Sequence, residues 1–498
     1  MKKRLLLLIT FLLFIANPIM AEEKPDINEE IIYDILVDRF SIGNQALNEH
    51  VRPDDPLAYH GGDIVGITKK LDHIEELGFT TIMLSPIMEN VENGYHGYWV
   101  EDFYAVEEQL GTMEDMKKLV EEAHGRGIKI ILEFAPNYVS IDHPFVNEAD
   151  KAAWFKENKR KASPATEWLD EVAVFDTEND EVIDYLIDVG EYWLKETGVD
   201  GFKLHDADVS SELFLNRFAE DIKGKYPDVY LLAGISEENK HNEAILNEAY
   251  FDGKDNQAML EKMNDVFTEP DKPVSVLYDE LVEHSEQRNL LTVDNKNTAR
   301  FSNNFADKGR NALTTWKLAM TYMYTTPGVP VIYQGSEVPM YGPGFPENQS
   351  LVEFTSIDQD LEEFYEQISS LRKEFPVLVH GDIELIDSSG AMSLFKRTFE
   401  GESIYVAINN DEETQTITLE DEDVESGQQL MGVLGDNLIR ENSQGEFRVS
   451  VPRETAEVFI VEEDVGFNWW LIGFIVGVFV LFVFFINFAS RNTKKEAN

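Results

Sequence analysis

From Ile31 to about Tyr333 the chain alternates short β-branched runs with longer stretches whose apolar residues recur every three or four positions. Ile31–Val37, Thr81–Leu84, Lys129–Leu132, Gly201–Leu204, Val229–Leu232, Tyr250–Phe251, Asn289–Val293 and Val331–Tyr333 are predicted strands. Ile67, Leu71, Ile74 and Leu77 repeat at helical spacing up to Gly78, which reads as a helix C-cap; Met116, Leu119, Val120 and Ala123 repeat likewise. Strands alternating with helices of this length predict parallel βαβ units, and eight such units close a barrel. The α/β fold expected over 30–375 is therefore a (β/α)8 TIM barrel, whose functional groups gather at the C-terminal ends of the strands. One polar, irregular excursion, 138–175, interrupts it after the third strand. After Pro376 the pattern changes to alternating runs, among them Ser393–Arg397, Ile404–Asn409 and Thr414–Leu419, so 377–461 is expected to be an all-β domain.

The two ends are apolar in different ways. Lys2, Lys3 and Arg4 precede an apolar run from Leu5 to Ile15 and a small-residue stop at Ala21, the pattern of a signal peptide over 1–21. Near the other end, 467–489 is long and apolar enough to predict a single transmembrane helix. Arg491, Lys494 and Lys495 then place the tail, 490–498, in the cytoplasm by the positive-inside rule. The expected location is the cell membrane, single-pass, with the folded part outside.

Charge narrows the partners. Lys and Arg number 42 against 94 Asp and Glu, a formal net charge of −52. Such a surface repels nucleic acid and anionic lipid. The sequence contains no cysteine, so it forms neither disulfides nor thiolate metal sites.

Aromatic residues point to sugar. Tyr95, His96, Tyr98 and Trp99 crowd a loop that follows a predicted strand, where ring faces can stack on a pyranose; loop packing is the equal alternative. Three segments carry a resemblance: "YHGGDIVGITKKLDHIEELGFTTIMLSPI" at 59–87, "GYHGYWVEDFYAVEEQLGTMEDMKKLVEEAHGRGIKIILE" at 94–133, and "TTPGVPVIYQGSE" at 325–337. They resemble glycoside hydrolase family 13, the α-amylase family. The resemblance implies a reduced domain B at 138–175, a C-terminal β-domain, and a sugar-stacking role for Tyr98.

It also shows what is missing. Retaining cleavage of an α-glucosidic bond needs a carboxylate nucleophile and a carboxylic acid about 5–5.5 Å apart. Where the family reads like G-F-R-x-D on strand four, this chain has Gly201, Phe202, Lys203, Leu204 and His205. The glutamate expected after strand five is Gly234. The strand-seven pattern F-V-D-N-H-D becomes Val293, Asp294, Asn295, Lys296, Asn297, so the stabilising aspartate is Asn297 and the histidine is Lys296. On strand three, D-x-V-x-N-H appears as Glu133 to Tyr138. Of the family calcium ligands only Asn137 remains; Val174 and Val209 stand where oxygen donors belong, so no metal and no cofactor is expected.

Strand alternation predicts that Asp206 points away from the face of His205, and Glu237 and Glu238 lie beyond the strand end. No catalytic group is expected at 205, 234 or 297, and His96, Tyr98, Trp99, Lys203 and Lys296 are the expected substrate contacts. The leading reading is a non-catalytic cell-surface protein that binds α-glucan or maltooligosaccharide. Two alternatives stand beside it: an active retaining α-glucan hydrolase with relocated carboxylates, and an interaction subunit for a membrane-protein partner.

Overall fold

Eight short runs of β-branched and other apolar residues pair side by side into a closed cylinder. They are β1 (Ile32–Ile35), β2 (Thr81–Leu84), β3 (Lys129–Phe134), β4 (Gly201–Leu204), β5 (Tyr230–Ala233), β6 (Gly253–Asp255), β7 (Asn289–Leu291) and β8 (Val329–Tyr333). All pairings are parallel and sequential, and Ile32 stands opposite both Thr81 and Val331, which closes the ring. This computed structural model describes residues 25–156, 172–236, 250–283 and 288–495, apart from 421–422, 436, 465 and 467–468. The expected signal peptide, Glu237 and Glu238 lie outside the described residues.

The two faces of each strand serve different cores. Ile32, Met83, Ile131, Tyr230, Leu232 and Val329 fill the inside of the barrel, while Tyr33, Ile82, Ile130, Phe202 and Leu231 face the surrounding helices. The helix Met113–His124 buries Met116, Leu119, Val120 and Ala123, and a capping box between Thr112 and Asp115 starts it. The spacing at 67–77 folds as two short helices broken at Lys70, Ile64–Lys69 and Leu71–Glu76. Gly78 then takes φ +85°, and a Cβ there would stand 2.4 Å from that of Ser369.

One strand sits elsewhere than expected. Tyr250 and Phe251 have strand-forming side chains, yet the ladder forms at Gly253–Asp255, where Gly253 faces Leu232 and Lys254 faces Asn289. Asp252 explains the offset, because its buried carboxylate accepts the Leu231 N–H at 2.8 Å and pairs with Lys223 at the strand's entrance. Within the 138–175 excursion, Tyr138–Ser140 pairs antiparallel with Val172–Val174.

Beyond the barrel, the strands from Asp382–Ser389 to Thr455–Glu463 form a six-stranded antiparallel sheet and a two-stranded ladder. They close over Met392, Leu394, Tyr405, Leu430, Phe447 and Phe459. Arg397 fastens this domain to the barrel. Its buried guanidinium donates to the carbonyls of Thr325, Leu378 and Gly381.

The terminal apolar run is helical, within Trp469–Lys495. The expected membrane span at 467–489 requires correction, because among the described residues no helix is long and apolar enough to cross a membrane. The cell-membrane location and the cytoplasmic tail rested on that span and are corrected with it, and the membrane partner is left without support.

Candidate functional site

Four charged residues of the barrel strands gather toward one end. Asp34 of β1, Glu133 of β3, Lys203 of β4 and Asp255 of β6 are carried on otherwise largely apolar strands toward their C-terminal ends. With His205, Asp206, Gly234, Asn295, Lys296 and Asn297 they line one cavity of about 50 Å³. That volume is well below the roughly 300 Å³ at which small-ligand pockets begin.

Glu133 is the hub. It is 2 % exposed, and its Oε1 faces His205 Nδ1 at 2.6 Å and accepts the Tyr98 hydroxyl at 2.8 Å. Its Oε2 accepts from Lys296 Nζ. Burial alone would raise the carboxyl's pKa; the Lys296 ammonium and the His205 hydrogen bond outweigh it and hold the group well below the usual glutamate range. Burial likewise opposes the charge of Lys296, but Glu133 and Asp34 more than compensate and raise its pKa. Asp34 goes the other way, raised by burial that the two lysines only partly offset.

Lys203 forms its ion pair with Asp255, at 2.9 Å, rather than the two-pronged contact a positioning arginine would make. His205 is pinned by Glu133 and by the tilted ring of Tyr98, whose centroid lies 4.3 Å away. Its Nε2 has no hydrogen-bond partner among the described residues and stands 3.6 Å from Asp206 Oδ1. Gly234 lines the same cavity; a Cβ built there would meet the Leu204 carbonyl oxygen at 3.0 Å and the Asp206 nitrogen at 3.4 Å.

Asp206 corrects the expectation from strand alternation. The strand ends at Leu204, and Asp206 takes a left-handed conformation, φ 50° and ψ 46°, which turns its carboxylate into the cavity beside His205. Tyr138 donates to its Oδ2 at 3.2 Å. Asp208 is instead committed to Ser236, accepting its N–H at 2.8 Å and its hydroxyl at 2.6 Å.

The aromatic loop is placed beside the cavity but not open to it. Tyr98 is fully buried and stacks on His96, whose Nδ1 accepts the Tyr98 N–H at 3.0 Å. Burial holds the His96 pKa far below its usual value and so favours the neutral ring. Trp99 is half-buried, edge-on to His96 and packed against the Tyr98–Tyr138 cluster. Tyr98 therefore offers no free ring face for a sugar in this structure.

Asn137 does not fit a calcium ion here. Its Oδ1 accepts from Ser210 at 2.7 Å, and its Nδ2 clamps the carbonyls of Asp206 (2.7 Å) and His205 (3.3 Å). With valines at 174 and 209, the described residues around Asn137 do not supply the oxygen set a calcium ion requires.

Sequence reasoning missed Glu133, Asp34 and Asp255. The available signal was an ionisable residue ending an otherwise apolar strand, a position where burial needs a partner.

Comparisons with known proteins agree with this architecture. A family model described as "Alpha amylase, catalytic domain" matches residues 34–170 and 151–377, and one described as "Alpha-amylase C-terminal domain" matches 381–459. The chain is 29 % identical over 413 residues to Alpha-amylase 2 of Dictyoglomus thermophilum, covering 78 % of this chain and 71 % of that one. Among solved structures, an Anoxybacillus α-amylase is 35 % identical with a TM-score of 0.83, covering 89 % of this chain and all of that one. The acarbose-complexed α-amylase of Geobacillus thermoleovorans is 34 % identical with a TM-score of 0.81, at the same coverage. Both family models together span the barrel and the β-domain, and the chain belongs to the α-amylase family.

Proposed function

We propose that this α-amylase-family chain engages α-glucan or maltooligosaccharide at the C-terminal mouth of its barrel without hydrolysing it. One observation carries the reading: the carboxylate hydrogen-bonded to the residue at position 205, Glu133, is tied to Lys296, His205 and Tyr98. A nucleophile must be free to meet the anomeric carbon, and an acid must hold a proton at neutral pH. Glu133, held well below its usual pKa, does neither. The glucan specificity rests on the family and on the Geobacillus relative solved with acarbose.

The second reading is retaining hydrolysis by relocated carboxylates, and the comparisons favour it over simple binding, since the named relatives are α-amylases. The specific feature behind it is Asp206, which enters the cavity where alternation had excluded it. One experiment separates the two: reducing-sugar release from soluble starch and maltoheptaose by the purified full chain, with calorimetric binding run in parallel. Binding without release is the expected result. Turnover at about 1 s⁻¹ or more, abolished by Asp206→Asn, would establish the second reading. Neither binding nor turnover would remove both.

A further inference from the structure

The loop that follows β4 begins with two carbonyls that converge on one side chain. The buried Asn137 amide donates from Nδ2 to the Asp206 carbonyl at 2.7 Å and to that of His205 at 3.3 Å. Its Oδ1 accepts the Ser210 hydroxyl at 2.7 Å. The amide cannot be turned over, because exchanging oxygen for nitrogen would set Oδ1 against two carbonyl oxygens. The Val209 N–H adds a second donor to the Asp206 carbonyl, at 3.0 Å, so both of that oxygen's lone pairs are used. Converging buried carbonyls are what an oxygen-seeking cation gathers. Here an uncharged amide gathers them. The two other family donor positions, Val174 and Val209, serve the same loop through their backbone. Val174 pairs with Tyr138 in the antiparallel ladder, and the next residue, Phe175, donates its N–H to the Asn137 carbonyl at 2.8 Å. A further seam joins Ser211 to Thr177, whose hydroxyl accepts the Ser211 N–H at 2.9 Å and whose carbonyl accepts the Ser211 hydroxyl.

We propose that Asn137 is a positioning residue whose amide stands in the place of the family's calcium ion. By holding the His205 and Asp206 carbonyls together it fixes the left-handed turn at Asp206, φ 50° and ψ 46°, which brings that carboxylate into the cavity. A residue with a Cβ adopts this conformation only when its surroundings hold it there, and the two hydrogen bonds on the Asp206 carbonyl do so. The excursion and the loop after β4 are then joined by uncharged hydrogen bonds, with Asn137, Thr177 and Ser210 all buried at the seam. The role is the same whether glucan at the barrel mouth is bound or cleaved.

The test is thermal unfolding of the full chain in excess EDTA, calcium or magnesium. Magnesium screens the net charge of −52 as calcium does, so it serves as the control for diffuse binding. Wild type should melt at the same temperature in EDTA, and calcium should add nothing beyond magnesium. Asn137→Asp keeps the shape and replaces both donors with an acceptor oxygen. In EDTA its Tm should fall by about 4 °C or more, the loss of two buried hydrogen bonds in a large domain. Calcium should reverse that fall and magnesium should not. Two carboxylate oxygens and two carbonyls then face one point, and calcium accepts an irregular oxygen set where magnesium demands an octahedron. Terbium luminescence sensitised by the adjacent Tyr138 should report this site in Asn137→Asp and not in Asn137→Ala, which should lose stability without regaining it in calcium. Ser210→Ala, a milder change that frees Oδ1, should lower Tm by about 2 °C and decides the matter if Asn137→Asp does not fold. EDTA lowering the wild-type Tm, with calcium and not magnesium restoring it, would show a metal holding the loop and overturn the proposal. Position 137 and 210 variants that melt as wild type would overturn it too, because the clamp would then hold nothing. A loss in folded Asn137→Asp that calcium leaves unrelieved would mean that the amide does not occupy a cation's place, and would equally overturn it.

Discussion

Glu133→Gln should destabilise the barrel more than any other single isosteric change in the cavity. Glu133 is 2 % exposed and Lys296 7 %, so neither charge is solvated by bulk water. Neutralising the carboxylate leaves the ammonium buried without its counter-ion and turns an amide N–H toward donors that had an acceptor. Breaking one side of a buried pair typically costs about 3–5 kcal/mol. For a domain of this size that corresponds to a fall in Tm of about 6–10 °C, at the lower end of the usual 2–4 °C per kcal/mol. Lys296→Met should cost less, because Glu133 keeps His205 and Tyr98 as donors. The double variant should be more stable than the sum of the two singles requires, with a coupling of about 1–3 kcal/mol. Urea unfolding followed by tryptophan fluorescence measures all three. The sign with pH follows from the lowered folded pKa. A depressed carboxyl contributes stability above its unfolded pKa, and that contribution disappears only as pH falls through the folded value. The gap between wild type and Glu133→Gln should therefore persist from pH 7 to about pH 5 and narrow only in stronger acid. Additive singles, or a Glu133→Gln penalty under about 1 kcal/mol, would refute the hub, since solvated surface pairs contribute no more than that.

Reinstating family residues at the three catalytic positions, with His205→Asp, Gly234→Glu and Asn297→Asp together, should give no measurable reducing-sugar release. A Cβ at 234 already meets the Leu204 carbonyl oxygen at 3.0 Å, so the new acid cannot be seated without moving backbone. Tyr98→Ala should lower stability by about 3–5 kcal/mol, the range for a large buried aromatic, because the ring is fully buried. Tyr98→Phe should lose about 1.5–3 kcal/mol, the value of a hydrogen bond to a charged group. If thermal unfolding of Tyr98→Ala matched wild type while glucan affinity fell, the ring would be an open platform after all.

How much of this was legible in the chain depends on how far apart the interacting residues lie. Thr81–Leu84 and Gly201–Leu204 fold with the boundaries their β-branched and apolar runs predict, because a parallel strand buried on both faces is a local pattern. The gathering of His205, Gly234 and Asn297 was equally legible, since strand ends of a barrel converge by topology. Glu133 was not, because its partners are 35, 72 and 163 residues away and no local pattern encodes them. Asp206 failed for another reason. Alternation holds only while the chain stays extended, and one residue in the left-handed region two positions past the strand reverses the facing. The expected ring face of Tyr98 was lost to the same crowding, since His96 and His205 both pack against it.

The substitutions in the cavity are coupled, which gives one more expectation. Glu133 stands where the family pattern has an aspartate and carries one methylene more, enough to bring Oε1 to 2.6 Å from His205 Nδ1. Returning an acid to 205 while Glu133 stays would set two carboxylates within hydrogen-bond range, and like charges that close cannot both ionise. His205→Asp alone should therefore create a carboxyl pair with one pKa raised. A raised folded pKa gives stability that is present below the unfolded value and lost as pH rises through the folded one. The variant should thus be nearest to wild type at about pH 4–5 and fall behind progressively toward pH 8. Adding Glu133→Asp, which shortens the opposing side chain, should recover part of the loss at pH 8. Thermal unfolding of wild type, single and double variants across this range tests the coupling. A pH-independent deficit in His205→Asp would mean that the imidazole is held by packing against Tyr98 and Tyr138, and that its contact with Glu133 is incidental.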